Sequence, residues 1–265
     1  MAKIGFIGMG NMGHAMLKGV LHIFDKEEII YTDVNEERMK KVHEETGVEY
    51  VLSNAECANN AKYIVLAVKP QFLDSVLKNI ANIVKEDNIV ISIVAGITTE
   101  DLHKALGREI RIVRAMPNTP ALLGEGMTGV CYNEEELKVE EKDDIKKIFA
   151  SIGKMKVVSE KMMSTITCAS GSSPAYVYMF IEALADSAVK YGMPRKDAYE
   201  FVAQTVLGSA KMVLETKLHP GVLKDMVCSP GGTTIAGVAA LEENGFRNAI
   251  IKATDACYEK SENIK

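Results

Sequence analysis

The sequence predicts an α/β fold in two parts. A largely parallel sheet flanked by helices covers residues 1–160, and an all-helical part covers residues 161–265. Three observations predict it. Short unbroken apolar runs alternate with charged, helix-compatible stretches through the first half, the pattern of strands buried on both faces. The first run leads straight into Gly8-x-Gly10-x-x-Gly13. After about residue 160 the β-branched runs stop and apolar residues recur at helical spacing.

In chain order, strands are predicted at 4–7, 29–32, 63–68, 89–94, 111–115, 128–132 and 156–158. The first helix follows the glycines, with Ala15, Met16, Leu17, Val20 and Leu21 on its apolar side; others are predicted at 36–46, 72–84, 99–106 and 134–152. Lys69-Pro70, Ala95-Gly96 and Pro117-Asn118-Thr119-Pro120 follow strand ends, where open α/β sheets bind ligands. In the second half Ser173 reads as an N-cap and Pro174 as the first helical residue. Gly192 ends that helix and Pro194 starts the next. A third follows Gly231-Gly232, and a fourth spans 246–263.

The three glycines have separable jobs. Gly8 permits the tight strand-to-helix turn, Gly10 lets the backbone approach a pyrophosphate, and Gly13 lets the helix pack on the sheet. The helix start then offers free N–H groups to phosphates. Asp33 lies 20 residues beyond Gly13, where a ribose-binding carboxylate belongs. The combination predicts a Rossmann dinucleotide-binding domain rather than a bare glycine turn. Asp33 favours the free ribose of NADH. Arg38, one turn into the next helix, leaves NADPH and dual use open.

Bulk properties narrow the partners. A net charge of −5 argues against nucleic acid. No apolar run reaches the roughly 18 residues of a membrane span. The first strand begins within three residues of Met1, which leaves no room for a signal peptide and predicts a cytoplasmic protein. The five cysteines are scattered without a CxxC pair, as expected of reduced thiols, and the dispersed histidines suggest no metal.

A second candidate site is Ser229-Pro230-Gly231-Gly232-Thr233-Thr234, leading into a helix. A Gly-Gly turn before a helix exposes backbone N–H groups that suit a small carboxylate; it equally serves as a plain helix cap. It contains hydroxyls but no acid, base or thiol, which fits a reaction whose reactive atom comes from a cofactor. Asn118 reads either as part of a rigid turn or as a group that orients nicotinamide or substrate. Lys69 reads as a solvated loop cation or a cofactor contact. His219 reads as a loop residue and His14 as a solvent-facing one.

Together these segments resemble the pyrroline-5-carboxylate reductase family over nearly the whole chain. The marks are Ile4-Gly5-Phe6-Ile7-Gly8-x-Gly10-Asn11-Met12-Gly13, Ala67-Val68-Lys69-Pro70, Ala95-Gly96-Ile97-Thr98 and Arg114-Ala115-Met116-Pro117-Asn118-Thr119-Pro120. In the second half they are Ser170-Gly171-Ser172-Ser173-Pro174-Ala175-Tyr176, His219-Pro220-Gly221 and Ser229 to Thr234. The resemblance implies reduction of L-1-pyrroline-5-carboxylate to L-proline, the last step of proline synthesis, with NADPH or NADH. It implies cofactor contacts at Gly8, Gly10, Asn11, Met12, Gly13, Asp33, Asn54, Val68, Lys69, Pro70, Ala95, Gly96 and Asn118. It assigns substrate binding to Ser229, Gly231, Gly232, Thr233 and Thr234, with Thr234 as the proposed donor to the ring nitrogen. It also implies a homodimer, or an assembly of dimers, built on the C-terminal helices. Their Ala, Gly and Met content and several apolar faces agree with that. Two other readings are weaker. A β-hydroxyacid type of dehydrogenase needs a lysine near the start of the long helix, and 170–174 has none. A dinucleotide-binding scaffold without activity has no use for the Ser229–Thr234 segment.

Overall fold

The structure, a computed structural model, describes residues 2–263. It forms two compact units, one of residues up to Ser172 together with those from Cys257 onward, the other Ser173–Ala256.

In the first unit the order is β1 (Ala2–Ile7), α1 (Asn11–Val20), β2 (Ile29–Thr32), α2 (Glu36–Thr46), β3 (Glu49–Tyr50), α3 (Asn54–Asn59), β4 (Ala61–Leu66), α4 (Pro70–Ile80), β5 (Ile89–Ser92), α5 (Thr99–Leu106), β6 (Arg111–Met116), β7 (Gly126–Tyr132), α6 (Val139–Ala150) and β8 (Gly153–Val157). The strands form one eight-stranded sheet in the order β3-β2-β1-β4-β5-β6-β7-β8. Neighbours are parallel except β6 and β7. The unbroken apolar runs are the cause. In β4, Tyr63 and Val65 face one core with Phe6, Leu17 and Phe149. Ile64 and Leu66 face the other with Ile7, Leu73 and Val90. The period-two alternation of a strand thus fills a layer on each side.

From β1 the chain builds outward through β2 and β3, then returns to set β4 on the other side of β1. That reversal opens a crevice at the carboxyl ends of β1 and β4, the ligand position in such sheets.

The structure departs from the sequence reading in several places. β3 was not expected; it is two residues long and Glu49 is exposed, so it has no apolar run. The strands expected at 63–68 and 89–94 end at Leu66 and Ser92, where turns leading to α4 and α5 take over. α6 is shorter than 134–152 because Asn133 organises a preceding turn: its Oδ1 accepts from the Glu135 N–H at 3.2 Å and its Nδ2 donates to Glu136 at 2.7 Å.

Beyond β8 a 3-10 turn (Glu160–Met162), α7 (Met163–Ile166) and a π-helical turn (Thr167–Gly171) lead onward. Glu160 anchors this passage. Its carboxylate accepts from the Thr99 N–H at 2.7 Å, the Thr99 hydroxyl at 2.5 Å and the Arg114 guanidinium at 3.0 Å. Ser172 is itself right-handed helical, at φ −92° and ψ −29°. Ser173 is therefore not the extended N-cap expected from the sequence; it opens a helix reached through a continuous coil of helical turns.

The second unit holds α8 (Ser173–Lys190), α9 (Arg195–Thr216), α10 (Pro220–Val227), α11 (Thr233–Glu243) and α12 (Phe246–Glu262), whose last turns group with the first unit. α10 was not expected, because Pro220-Gly221 reads as a loop. Pro220 instead occupies the first turn, and His219 is its cap, with Nδ1 accepting from the Gly221 N–H at 3.0 Å. The buried core here is small, with Ala185, Ala198 and Val202 at its centre. Phe201, Leu214 and Met226 are each more than 60% exposed. No helix among the described residues is long and apolar enough to cross a membrane.

Candidate active site

At the end of β1 the glycine turn shows why each glycine is there. Gly8 has φ +102°, and a Cβ on it would lie 2.7 Å from the Ala67 carbonyl oxygen and 2.9 Å from Val68 Cγ1. A Cβ on Gly13 would lie 2.2 Å from the Gly8 carbonyl oxygen, so α1 packs on the turn at a separation only glycine allows. Gly10 is different. A Cβ there would meet nothing within 4 Å, and Gly10 caps α1 with no side-chain hydrogen bond. The first N–H groups of α1, from Asn11 and Met12 onward, therefore open into free space at the positive end of the helix. This cradle, which a Cβ would fill, fits a dinucleotide pyrophosphate.

Asp33 is brought beside the turn but is largely used by it. Its Oδ2 accepts from the Met9 N–H at 2.6 Å and its Oδ1 from the Asn35 N–H at 2.9 Å. The side chain is only 6% exposed, with Arg38 3.4 Å away. A cavity of about 420 Å³ adjoins it, lined among others by Gly10, Asn11, His14, Asn35, Arg38 and Lys41. His14, expected to face solvent, is instead half-buried and lies 3.1 Å from Glu45, which also binds Lys18. Arg38 had a sequence signal, one turn after the ribose position. Lys41 had none, because a cation on an exposed helix face reads as solvated.

The other first-unit candidates lie at strand and helix ends. Val68 packs at Gly8. Lys69 is exposed and precedes Pro70 at the start of α4, without an ion pair among the described residues. Ala95 and Gly96 form the turn after β5, with Gly96 at φ +79°. Asn54 opens α3 behind the Ser53 cap, and its amide has no hydrogen-bond partner among the described residues.

Asn118 is 9% exposed, and both ends of its amide are engaged. Nδ2 donates to the Ser170 carbonyl at 3.0 Å, and Oδ1 accepts from the Met127 N–H at 2.9 Å. Ser170 was missed as its partner. The usable signal was Pro174, which has no N–H to give the carbonyl four residues back.

In the second unit, Gly231 has φ +67° and Gly232 caps α11 in extended conformation. The Gly232 N–H closes a turn to the Ser229 carbonyl at 3.0 Å. No side chain caps α11, so the N–H groups at Thr233 and Thr234 face outward. The turn and helix bring Ser229, Gly231, Gly232, Thr233 and Thr234 together at one open, positive helix end. Among the described residues no group of three or more His, Cys, Asp or Glu side chains is placed to hold a metal ion.

Known proteins share this layout. The family described as pyrroline-5-carboxylate reductase dimerisation matches residues 160–264, and the one described as NADP oxidoreductase coenzyme F420-dependent matches residues 3–96. The pyrroline-5-carboxylate reductase of Escherichia coli (strain K12) is 49% identical over 265 residues, 99% of this chain and 98% of its own. That of Methanosarcina acetivorans is 42% identical, covering 99% of this chain and 97% of its own. The crystal structure of Plasmodium falciparum pyrroline carboxylate reductase with NADP bound has a TM-score of 0.89 at 38% identity, covering 98% of this chain and 97% of its own.

Proposed function

The chain belongs to the pyrroline-5-carboxylate reductase family, and from that membership we propose how its residues divide the labour of the reaction. It is an NAD(P)H-dependent oxidoreductase that reduces L-1-pyrroline-5-carboxylate to L-proline, the last step of proline biosynthesis. The boundary near residue 160 separates cofactor binding from substrate binding and dimerisation.

The observation that supports the division is a pair of glycine-capped helix starts, at Gly10 and Gly232, that carry no side-chain cap. The one at Gly10 takes the pyrophosphate, with Asn11, Met12 and the Gly8 and Gly13 turn around it. Asn54, Val68, Lys69, Pro70, Ala95 and Gly96 line the rest of the cofactor path, and Asn118 braces its end. When bound, the reduced nicotinamide supplies the hydride. The helix start at Gly232 holds the substrate carboxylate on the N–H groups of Gly231, Thr233 and Thr234, while the Gly232 N–H closes the turn onto Ser229. Thr234 meets the ring nitrogen, which must hold a proton as the neighbouring carbon is reduced. A hydroxyl is a weak bulk acid, so Thr234 orients the imine and relays a proton. Much of the acceleration then comes from positioning.

Both NADPH and NADH fit this reading. Asp33 is occupied by backbone N–H groups, which leaves Arg38 and Lys41 as the cations for a 2′-phosphate. The chain forms dimers through its dimerisation segment. We take these to be homodimers or assemblies of them, with the exposed apolar faces of α9 and α10 covered by a second copy. The protein works in the cytoplasm without nucleic acid or membrane partners. An absorbance assay tests the whole reading: purified protein oxidises NADPH or NADH only when pyrroline-5-carboxylate is added, and folded protein that turns over neither overturns it.

A further inference from the structure

The chain passes between its two compact units twice, at Ser172–Ser173 and at Ala256–Cys257. The first-unit ends of these passages touch, because Cys257 Sγ donates to Ser172 Oγ at 3.3 Å. Cys168 lies one turn before Ser172 in the π-helical turn, and the Cys257 thiol interacts with it electrostatically. Cys168 is 2% exposed, while Cys257 is half-buried. Two thiols 89 residues apart in sequence are thus brought to the same turn beside both passages. Among the described residues none of the other three cysteines has a thiol partner: Cys57 contacts the Phe6 carbonyl, Cys131 is buried by the sheet, and Cys228 lies in the second unit. Neither Cys168 nor Cys257 has a part in holding cofactor or substrate.

We propose that Cys168 and Cys257 are an oxidisable dithiol that closes into a reversible disulfide when the enzyme meets hydrogen peroxide, stapling the two chain passages together. Transient disulfides of this kind are the usual form in reducing compartments. The chemistry balances in two steps. The more accessible Cys257 thiolate attacks a peroxide oxygen, the O–O bond breaks, and the departing hydroxide takes a proton to leave as water. The Cys257 sulfenic acid is then attacked by the Cys168 sulfur; the S–S bond forms, the S–O bond breaks, and the Cys168 proton leaves in a second water. The sulfurs lose two electrons and one peroxide gains them. A dithiol reductant reverses the bond. Burial, reinforced by the Cys257 contact, pushes the Cys168 thiol up to about 11, so the second step quickens as pH rises. The loop that closes contains the whole of Ser173–Ala256, so the staple acts where that unit joins the rest of the chain.

The test uses the full-length enzyme treated with hydrogen peroxide, alkylated with a maleimide, digested without reduction and mapped by mass. The expected result is one intramolecular peptide pair joining residues 168 and 257, lighter than the sum of its reduced parts by two hydrogens and lost on adding dithiothreitol. Its yield rises from neutral to mildly alkaline pH. Relative to wild type it falls by about tenfold or more in Cys257→Ser and in Cys168→Ala, and is unchanged in Cys228→Ser. If Cys168→Ala does not fold, the wild-type map and Cys257→Ser decide alone. The proposal is overturned if Cys257 accumulates as sulfinic acid while Cys168 stays free to alkylate. It is equally overturned if either thiol pairs instead with Cys228 or with a second copy of the chain.

Discussion

Asn118 donates its amide N–H to the backbone carbonyl of Ser170 at 3.0 Å, replacing the donor that Pro174 lacks. An ordinary helix would satisfy that carbonyl from the residue four positions on. Proline there leaves it without a partner, at a point where the coil is also widened into a π turn. Asn118→Ala is therefore expected to destabilise the protein by about 1–3 kcal/mol, the cost of a buried group left without its partner. Pro174→Ala restores a backbone N–H, so the same Asn118→Ala change should cost less in that background. Denaturant unfolding of the four proteins in the cycle measures the coupling. Strict additivity would show that the carbonyl does not link these residues.

The glycine turn gives a second contrast. Gly13→Ala places a methyl carbon 2.2 Å from the Gly8 carbonyl oxygen, so α1 must shift. Overpacking of that kind costs about 1–3 kcal/mol, and cofactor affinity should fall with it. Gly10→Ala meets nothing within 4 Å. Its stability should stay within about 0.5 kcal/mol of wild type. Its affinity for NADPH should nonetheless fall by about tenfold or more, a loss of roughly 1.4 kcal/mol. Thermal unfolding and fluorescence titration read the two quantities separately. A Gly10→Ala protein that binds NADPH normally would place the pyrophosphate elsewhere.

Thr234→Ala removes one hydroxyl from the second residue of α11 and leaves the backbone N–H groups in place. We expect kcat to fall roughly 10²-fold, the usual scale for a lost proton relay, with NADPH affinity unchanged. Thr234→Ser keeps the hydroxyl and should recover most of the rate. Steady-state kinetics with both variants checks this; an unchanged kcat in the alanine variant removes Thr234 from the chemistry.

The legible part of the fold follows from burial. β4 and β5 sit inside the sheet with apolar residues on both faces, so their runs show in the sequence. β3 lies at the sheet edge with one exposed residue in two, and leaves no such trace. α10 was hidden because Pro-Gly marks turns more often than helix starts, whereas here Pro220 fills the first turn and His219 caps it. The two glycine-led helix starts were readable because their chemistry is local backbone. The roles of Asp33 and Asn118 were not, since their partners Met9 and Ser170 lie 24 and 52 residues away. A side chain that braces the fold and one that awaits a ligand are the same letter in a sequence.

Acid should loosen the passage that Glu160 anchors. Burial works to raise the Glu160 carboxyl, but the bonds from Thr99 and the Arg114 guanidinium outweigh it and hold it below the usual 4.5. A carboxylate depressed in the folded state stabilises fully above its unfolded value, and that contribution is lost as pH falls through the folded one. The gap in melting temperature between wild type and Glu160→Gln should therefore be widest near neutrality and narrow below about pH 4.5. A gap constant from pH 7 to pH 3.5 would mean that the Glu160 charge adds nothing.

Cofactor choice turns on Asp33 and Arg38. On sequence alone Asp33 is a ribose carboxylate that disfavours NADPH, and replacing it with serine should shift preference towards NADPH. The folded side chain is 6% exposed and holds the Met9 N–H of the glycine turn at 2.6 Å. Asp33→Ser is thus expected to weaken NADH and NADPH together, because it loosens the shared turn, more than it changes their ratio. Arg38 is 46% exposed and borders the neighbouring cavity with Lys41. Arg38→Ala should weaken NADPH by about tenfold, within the 1.5–3 kcal/mol of a hydrogen bond to a charged group reduced by solvent exposure, and leave NADH untouched. The Arg38 effect should shrink at high salt, as expected for a partly exposed charge pair. Fluorescence titration of the two cofactors at low and high salt, without substrate, measures all of this. If Asp33→Ser raises NADPH affinity while NADH affinity falls, the carboxylate selects the ribose directly and the bracing role is secondary.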